Sequence, residues 1–181
     1  MKTVLSIGIG LSILSSILMA DFAQNMTNKY MGGGIVFEDI EDTDTDGIAG
    51  EIKVGGVISN GFGAEVKLTR TLSSAEAKDY DETIDIDITT LSLYGTYSFR
   101  LIPEFTVMPK LGLTYFYTSL DSNRDESDSD GNLNLSYGFD MKYMFSNLLS
   151  GYFGVTIYNP EYKGYDFDTT QISIGIEKSF F

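Results

Sequence analysis

The chain contains no cysteine, no histidine and no tryptophan, and only three prolines in 181 residues. Without cysteine there is no disulfide scaffold, no thiolate metal site and no lipid-modified thiol. Without histidine, imidazole can serve neither as general base nor as metal ligand. Positive charge is scarce as well, with twelve Lys and Arg against 26 Asp and Glu and a formal charge of −14. That sum opposes binding to nucleic acid and direct attraction to anionic lipid, although its distribution matters more than its size. Long apolar runs are also missing beyond the N-terminus. There, residues 1–20 read as a secretory signal: Lys2, an apolar stretch interrupted by four serines, and the small Ala20 before Asp21. A membrane anchor fits less well, since no basic stop-transfer cluster follows. The remaining residues, 21–181, suit one domain.

What the chain has in quantity is glycine (19), tyrosine (12) and phenylalanine (12), set in strict two-residue alternation from about residue 28 onward. In 62–72, Phe62, Ala64, Val66, Leu68 and Leu72 share one face, and Gly63, Glu65, Lys67, Thr69 and Thr71 the other. The pattern predicts strands at 28–38, 48–59, 62–72, 84–100, 104–118, 132–145, 148–158 and 168–180. In the fourth, the apolar beat passes from even positions (Ile84, Ile86, Ile88) to odd ones (Leu91, Leu93), which predicts a β-bulge near Thr89–Thr90. Long polar loops (39–47, 73–83, 119–131 and 159–167) alternate with tight turns, one carrying an Asn-Gly signal.

An even number of strands, with long loops at one end and short turns at the other, is the plan of an all-β, eight-stranded antiparallel up-and-down transmembrane β-barrel. A secreted soluble barrel with the apolar face inside has the same period. Three features oppose it: the small residues on the charged face, the limited interior of eight strands, and Arg70 and Lys178 near strand ends, where they can snorkel. The charged face then lines the lumen with Glu51, Glu65, Asp140 and Glu177 against Lys53, Lys67, Lys110 and Lys142. Four charges of each sign predict internal pairing that plugs the barrel. A narrow cation pore or hydrophobic-solute channel is the alternative.

Over its mature length the chain resembles the small OmpA/OmpX-like outer-membrane barrels of Gram-negative bacteria, of the porin-family type. Its ending, ISIGIEKSFF, is similar to the terminal strand such proteins present to the barrel assembly machinery. Ile172, Ile174, Ile176 and Phe180 keep the apolar beat, while Lys178 stands where an aromatic is usual and Phe181 adds one residue. The resemblance implies an outer-membrane location, periplasmic termini, extracellular long loops, and lipid, lipopolysaccharide and periplasmic chaperones as partners. No peptidoglycan-binding domain is expected after the last strand. Barrel enzymes that modify lipid A or phospholipids rely on histidine, so no enzymatic activity is expected.

The acidity is concentrated in the loops. Segments 38–47, 73–87, 119–131 and 159–168 hold twenty acidic residues and only Lys78, Arg124 and Lys163, a sum of −17. Two runs, EDTDTDG (41–47) and ESDSDG (126–131), imitate the start of an EF-hand loop. The twelfth position, which should be a bidentate Glu, is Lys53 or Tyr137. Solvated acidic turns are therefore expected, with Asp42, Asp44, Asp46, Asp128 and Asp130 as the ligands for any weak Ca2+ or Mg2+ binding. No other cofactor and no nucleic-acid partner is expected, and an extracellular ligand is left open.

Overall fold

The computed structural model describes residues 26–40, 47–73, 75–79, 82–122, 128–158, 161–162, 165–166 and 168–180. Residues 1–20, expected as a signal, and Asp42, Asp44, Asp46 and Phe181 lie outside them. Eight strands close a barrel: β1 (Asn28–Ile40), β2 (Gly47–Val57), β3 (Phe62–Ser73), β4 (Glu82–Tyr97), β5 (Phe105–Ser122), β6 (Asp128–Ser146), β7 (Leu149–Tyr158) and β8 (Thr169–Phe180). Each is antiparallel to its sequence neighbour, and β1 pairs with β8 to shut the wall. Short strands at Ala75–Asp79 and Phe99–Ile102 extend the hairpins of β4 and β5, and Glu161–Tyr162 pairs with Tyr165–Asp166.

Following partners around the wall leads from Tyr30 through Gly55, Glu65, Tyr94, Gly112, Ser136, Tyr158 and Thr169 to Ile40. The circuit returns ten residues higher on β1. Such a stagger tilts the strands against the barrel axis and leaves an interior just wide enough for side chains.

The alternation sorts residues as an outer-membrane barrel requires. Ile52, Ile176, Leu111 and Leu133 face outward at 57–62% exposure, whereas Glu65 and Asp140 are fully buried inside. A water-soluble fold would reverse this, since so large an exposed apolar surface needs lipid against it. Aromatic pairs ring the short-turn end: Phe62 against Tyr97, Tyr97 against Phe99, and Tyr143 against Phe145. The turns there follow local chemistry. Gly61 takes φ +91°, while Asn60 Oδ1 accepts from Phe62 N at 3.1 Å. Ser146 Oγ accepts from the amides of Leu148 and Leu149.

Three expectations are corrected. The register of β4 runs unbroken against β3 and β5, so there is no bulge at Thr89–Thr90. Ile88 faces inward with Thr90, Ser92 and Tyr94, so the change of parity is one of composition on the lumen face and not of register. The irregularities fall instead at Leu72, Leu101 and Phe145, the residues left without a partner in these ladders. Second, the segment 119–131 is not all loop: β5 and β6 stay paired from Ser119 with Ser129 and from Leu120 with Asp128. Third, Glu38 belongs to the barrel interior rather than to an acidic loop.

Two inward glycines set how closely the strands approach. A Cβ at Gly112 would run into the carbonyl oxygen of Leu93, and one at Gly138 into that of Val155. Gly112→Ala is therefore expected to destabilise the barrel by about 1–3 kcal/mol, since the backbone itself must move. Gly95→Ala, whose Cβ would meet only Leu111 O at 3.7 Å on the open outer wall, should be neutral or better. Urea titration of the heat-modifiable gel band separates the two.

Candidate functional site

Alternation puts one inward side chain on every second residue, and closure turns eight such columns toward one axis. The eight charged positions read from the sequence all meet there: Glu51, Lys53, Glu65, Lys67, Lys110, Asp140, Lys142 and Glu177 are each at most 9% exposed. Asp140 lies at the centre. Lys53 Nζ donates to its Oδ2 and Lys110 Nζ to its Oδ1, both at 2.7 Å. Glu65 lies 3.9 Å from each of these ammoniums and accepts from the Tyr30 hydroxyl at 2.9 Å. Lys142 pairs with Glu177 at 2.7 Å, and Glu177 approaches Lys53 at 3.8 Å.

A second layer sits toward the long-loop end. Lys67 Nζ is 3.7 Å from Glu51 and donates to Tyr158, Gln171 and Thr156. Gln171 Nε2 in turn donates to Glu38 at 2.7 Å, and Thr71 Oγ1 donates to the same carboxylate at 3.1 Å. The Tyr158 hydroxyl also donates to Gln171 Oε1. Tyr152 joins the layers: its hydroxyl donates to Glu51 at 2.6 Å while Lys53 Nζ lies 3.4 Å over its ring.

This arrangement answers a conflict in the register. Lys53 and Lys67 are direct partners across β2 and β3, and like charges so placed repel. They diverge, Lys53 toward Asp140 across the lumen and Lys67 toward Glu51 and Gln171. Ion pairs between neighbouring strands, Lys53 with Glu65 and Lys67 with Glu51 across β2 and β3 and Lys110 with Asp140 across β5 and β6, are thus joined to pairs between strands that are not neighbours, Lys53 with Asp140 and Lys142 with Glu177. Below the cluster, a cavity of about 80 Å³ lined by Tyr30, Arg100, Thr106, Lys142 and Glu177 remains at the short-turn mouth.

Sequence reading passed over Glu38, Gln171 and four lumen tyrosines, Tyr30, Tyr94, Tyr152 and Tyr158, all at most 3% exposed. Their parity with Gly32, Ser92, Gly154 and Thr156 was the available signal. With Glu38 the described interior holds five carboxylates against four lysines. In the last strand, Ile172, Ile174, Ile176 and Phe180 point outward. Asp128 and Asp130 are placed as β6 backbone opposite Leu120 and Thr118. Among the described residues no group of three or more acidic side chains is arranged to hold a metal ion.

Solved structures share this fold at low sequence identity. The Yersinia pestis attachment invasion locus protein Ail, solved with the heparin analogue sucrose octasulfate, is 16% identical, with TM-score 0.63 over 84% of this chain and 98% of its own. Neisserial surface protein A is 13% identical, with TM-score 0.69 over 84% and 97%. OprG of Pseudomonas aeruginosa is 13% identical, with TM-score 0.67 over 86% and 97%. Comparison with curated proteins finds no match. A family model for the outer membrane protein beta-barrel domain matches residues 9–180, so the chain, with charge inside and apolar wall outside, belongs to that bacterial outer-membrane family.

Proposed function

We propose that the protein is a closed outer-membrane barrel whose lumen is plugged by its own ion pairs and whose acidic long loops face the cell exterior, in a structural or surface-interaction role. The observation that carries this is Asp140, which ties lysines from β2 and β5 to a carboxylate on β6 at 2.7 Å each and so bridges the lumen from the β5–β6 side to β2. A conduction path favours an excess of one sign and water between charges; here the charges contact one another. Planar bilayers in concentrated KCl should show no channel steps from the purified protein. Regular unitary steps would replace this reading with the narrow-pore one.

In this orientation the termini are periplasmic, and the loop sum, −16 once the buried Glu38 is left out, selects basic partner surfaces. A sulfated sugar such as the one in the Ail structure would be repelled. The acidic runs also fit weak bridging of Ca2+ or Mg2+ to lipopolysaccharide phosphates. Calcium should then protect loops 39–47 and 119–131 from protease, and Asp42, Asp44 and Asp46 replaced by Asn should remove protection in the first loop only. If sodium at equal ionic strength protects equally, the effect is charge screening. Lipid-modifying catalysis has no support from the residues, and a lipid A mass spectrum unchanged by the protein accords with that.

A further inference from the structure

The overall negative charge opposes anionic lipid, yet one part of the outer wall reverses it. Lys29 and Lys178 are exposed at the short-turn end of β1 and β8, on the outward face with Met31, Ile35 and Ile176. Lys29 is opposite Phe180 and Lys178 opposite Met31, so the two lysines are diagonal neighbours across the closing seam, about 7–8 Å apart. Flexible side chains at that spacing can reach one anion together. Lys178 Nζ lies 5.6 Å over the Phe180 ring, which places it in the aromatic girdle where lipid headgroups sit. Among the described residues no carboxylate pairs with either ammonium.

Beside this pair the wall is hollowed. Met31, Ile52, Val54, Val66 and Leu68 line a shallow apolar groove of about 220 Å³. The groove begins at Met31, the direct partner of Lys178, and runs toward the middle of the membrane wall. Two cations at the headgroup level and an apolar furrow leading away from them match an anionic phospholipid in both of its parts. The larger groove beside Phe62, Tyr97, Pro109 and Leu111 (about 420 Å³) has no outward lysine and lacks the first part.

We propose that the β1–β8 seam carries a binding site for one anionic phospholipid, with its phosphate between Lys29 and Lys178 and one acyl chain in the groove lined by Met31, Ile52, Val54, Val66 and Leu68. The site rests on the outward wall and not on the plug. Lipid retention and channel conductance can therefore fail independently of each other.

The test is native mass spectrometry of the folded barrel in neutral detergent, titrated with dioleoyl phosphatidylglycerol or with dioleoyl phosphatidylcholine, which has the same chains on a zwitterionic headgroup. One phosphatidylglycerol should be retained under conditions that strip phosphatidylcholine. The Lys29→Gln/Lys178→Gln variant should lose about thirtyfold of the phosphatidylglycerol affinity and keep its weak affinity for phosphatidylcholine. Val66→Phe, which fills part of the groove and leaves the charge, should weaken both lipids. Arg100→Gln, at the same end but in the short strand paired with β5, away from the groove and the seam, should change neither. Heat-modifiable gel mobility establishes that each variant is folded, and the wild-type comparison stands without any variant. Equal retention of the two lipids by the wild type, or an undiminished preference in the double variant, overturns the proposal.

Discussion

Asp140→Ala should be the most damaging single substitution in the lumen. It leaves two buried ammoniums, Lys53 and Lys110, without the carboxylate that holds both at 2.7 Å. Removing one partner of a buried ion pair costs about 3–5 kcal/mol, because the remaining charge is stranded away from water. Glu65, 3.9 Å from both lysines, recovers part of this, so the lower end of that range is expected. Glu65→Ala should cost less, since its closest contact is the neutral Tyr30 hydroxyl at 2.9 Å. The Asp140→Ala/Lys110→Ala double variant should be milder than the sum of its singles, because the second change removes a stranded charge. The midpoint of urea unfolding of the folded gel band reads all three. Strict additivity would mean that the charges act singly and not as one network.

The second large effect concerns assembly. Removing Phe180 and Phe181 should cut outer-membrane yield severalfold, with the remainder lost to periplasmic proteolysis. Phe180 closes the β1–β8 ladder opposite Lys29 and supplies the outward aromatic at its end. Removing 122–129, by contrast, takes away a loop tip read from the sequence and only the Leu120–Asp128 and Ser119–Ser129 rungs of the β5–β6 ladder, and yield should hold. Equal yields from the two deletions would show that the end of β8 carries no special signal.

The strands themselves were legible because lipid and lumen impose opposite demands on successive residues. Glu51, Lys53, Glu65 and Lys67 could be placed inside from parity alone, as could Asp140 and Glu177. Reading failed where those two demands stop. Beyond the bilayer both faces of a strand meet water, so Asp128, Ser129 and Asp130 carry a loop's composition while their backbone remains paired. Glu38 was misplaced for the same reason, since it lies near the top of β1, where only its contacts with Gln171 and Thr71 show that it faces inward. The tyrosines escaped for another reason: a ring with a hydroxyl suits either face, and only the acceptors across the barrel, Glu51 for Tyr152 and Glu65 for Tyr30, decide it. Which acid meets which lysine was not readable at all, because the ten-residue stagger sets the pairing across the lumen.

The seam has a mechanical consequence. β1 and β8 are antiparallel, and Asn28 and Phe180 enter and leave the wall at the same end. A pull separating these two ends would load the Lys29–Phe180 pair first, then Tyr30–Ser179 and Met31–Lys178 in turn. Such loading opens a zipper one rung at a time, whereas a pull along the strands would have to shear the whole ladder at once. The closed ladder is therefore weakest against tension applied at its two ends, and it should yield from the seam inward.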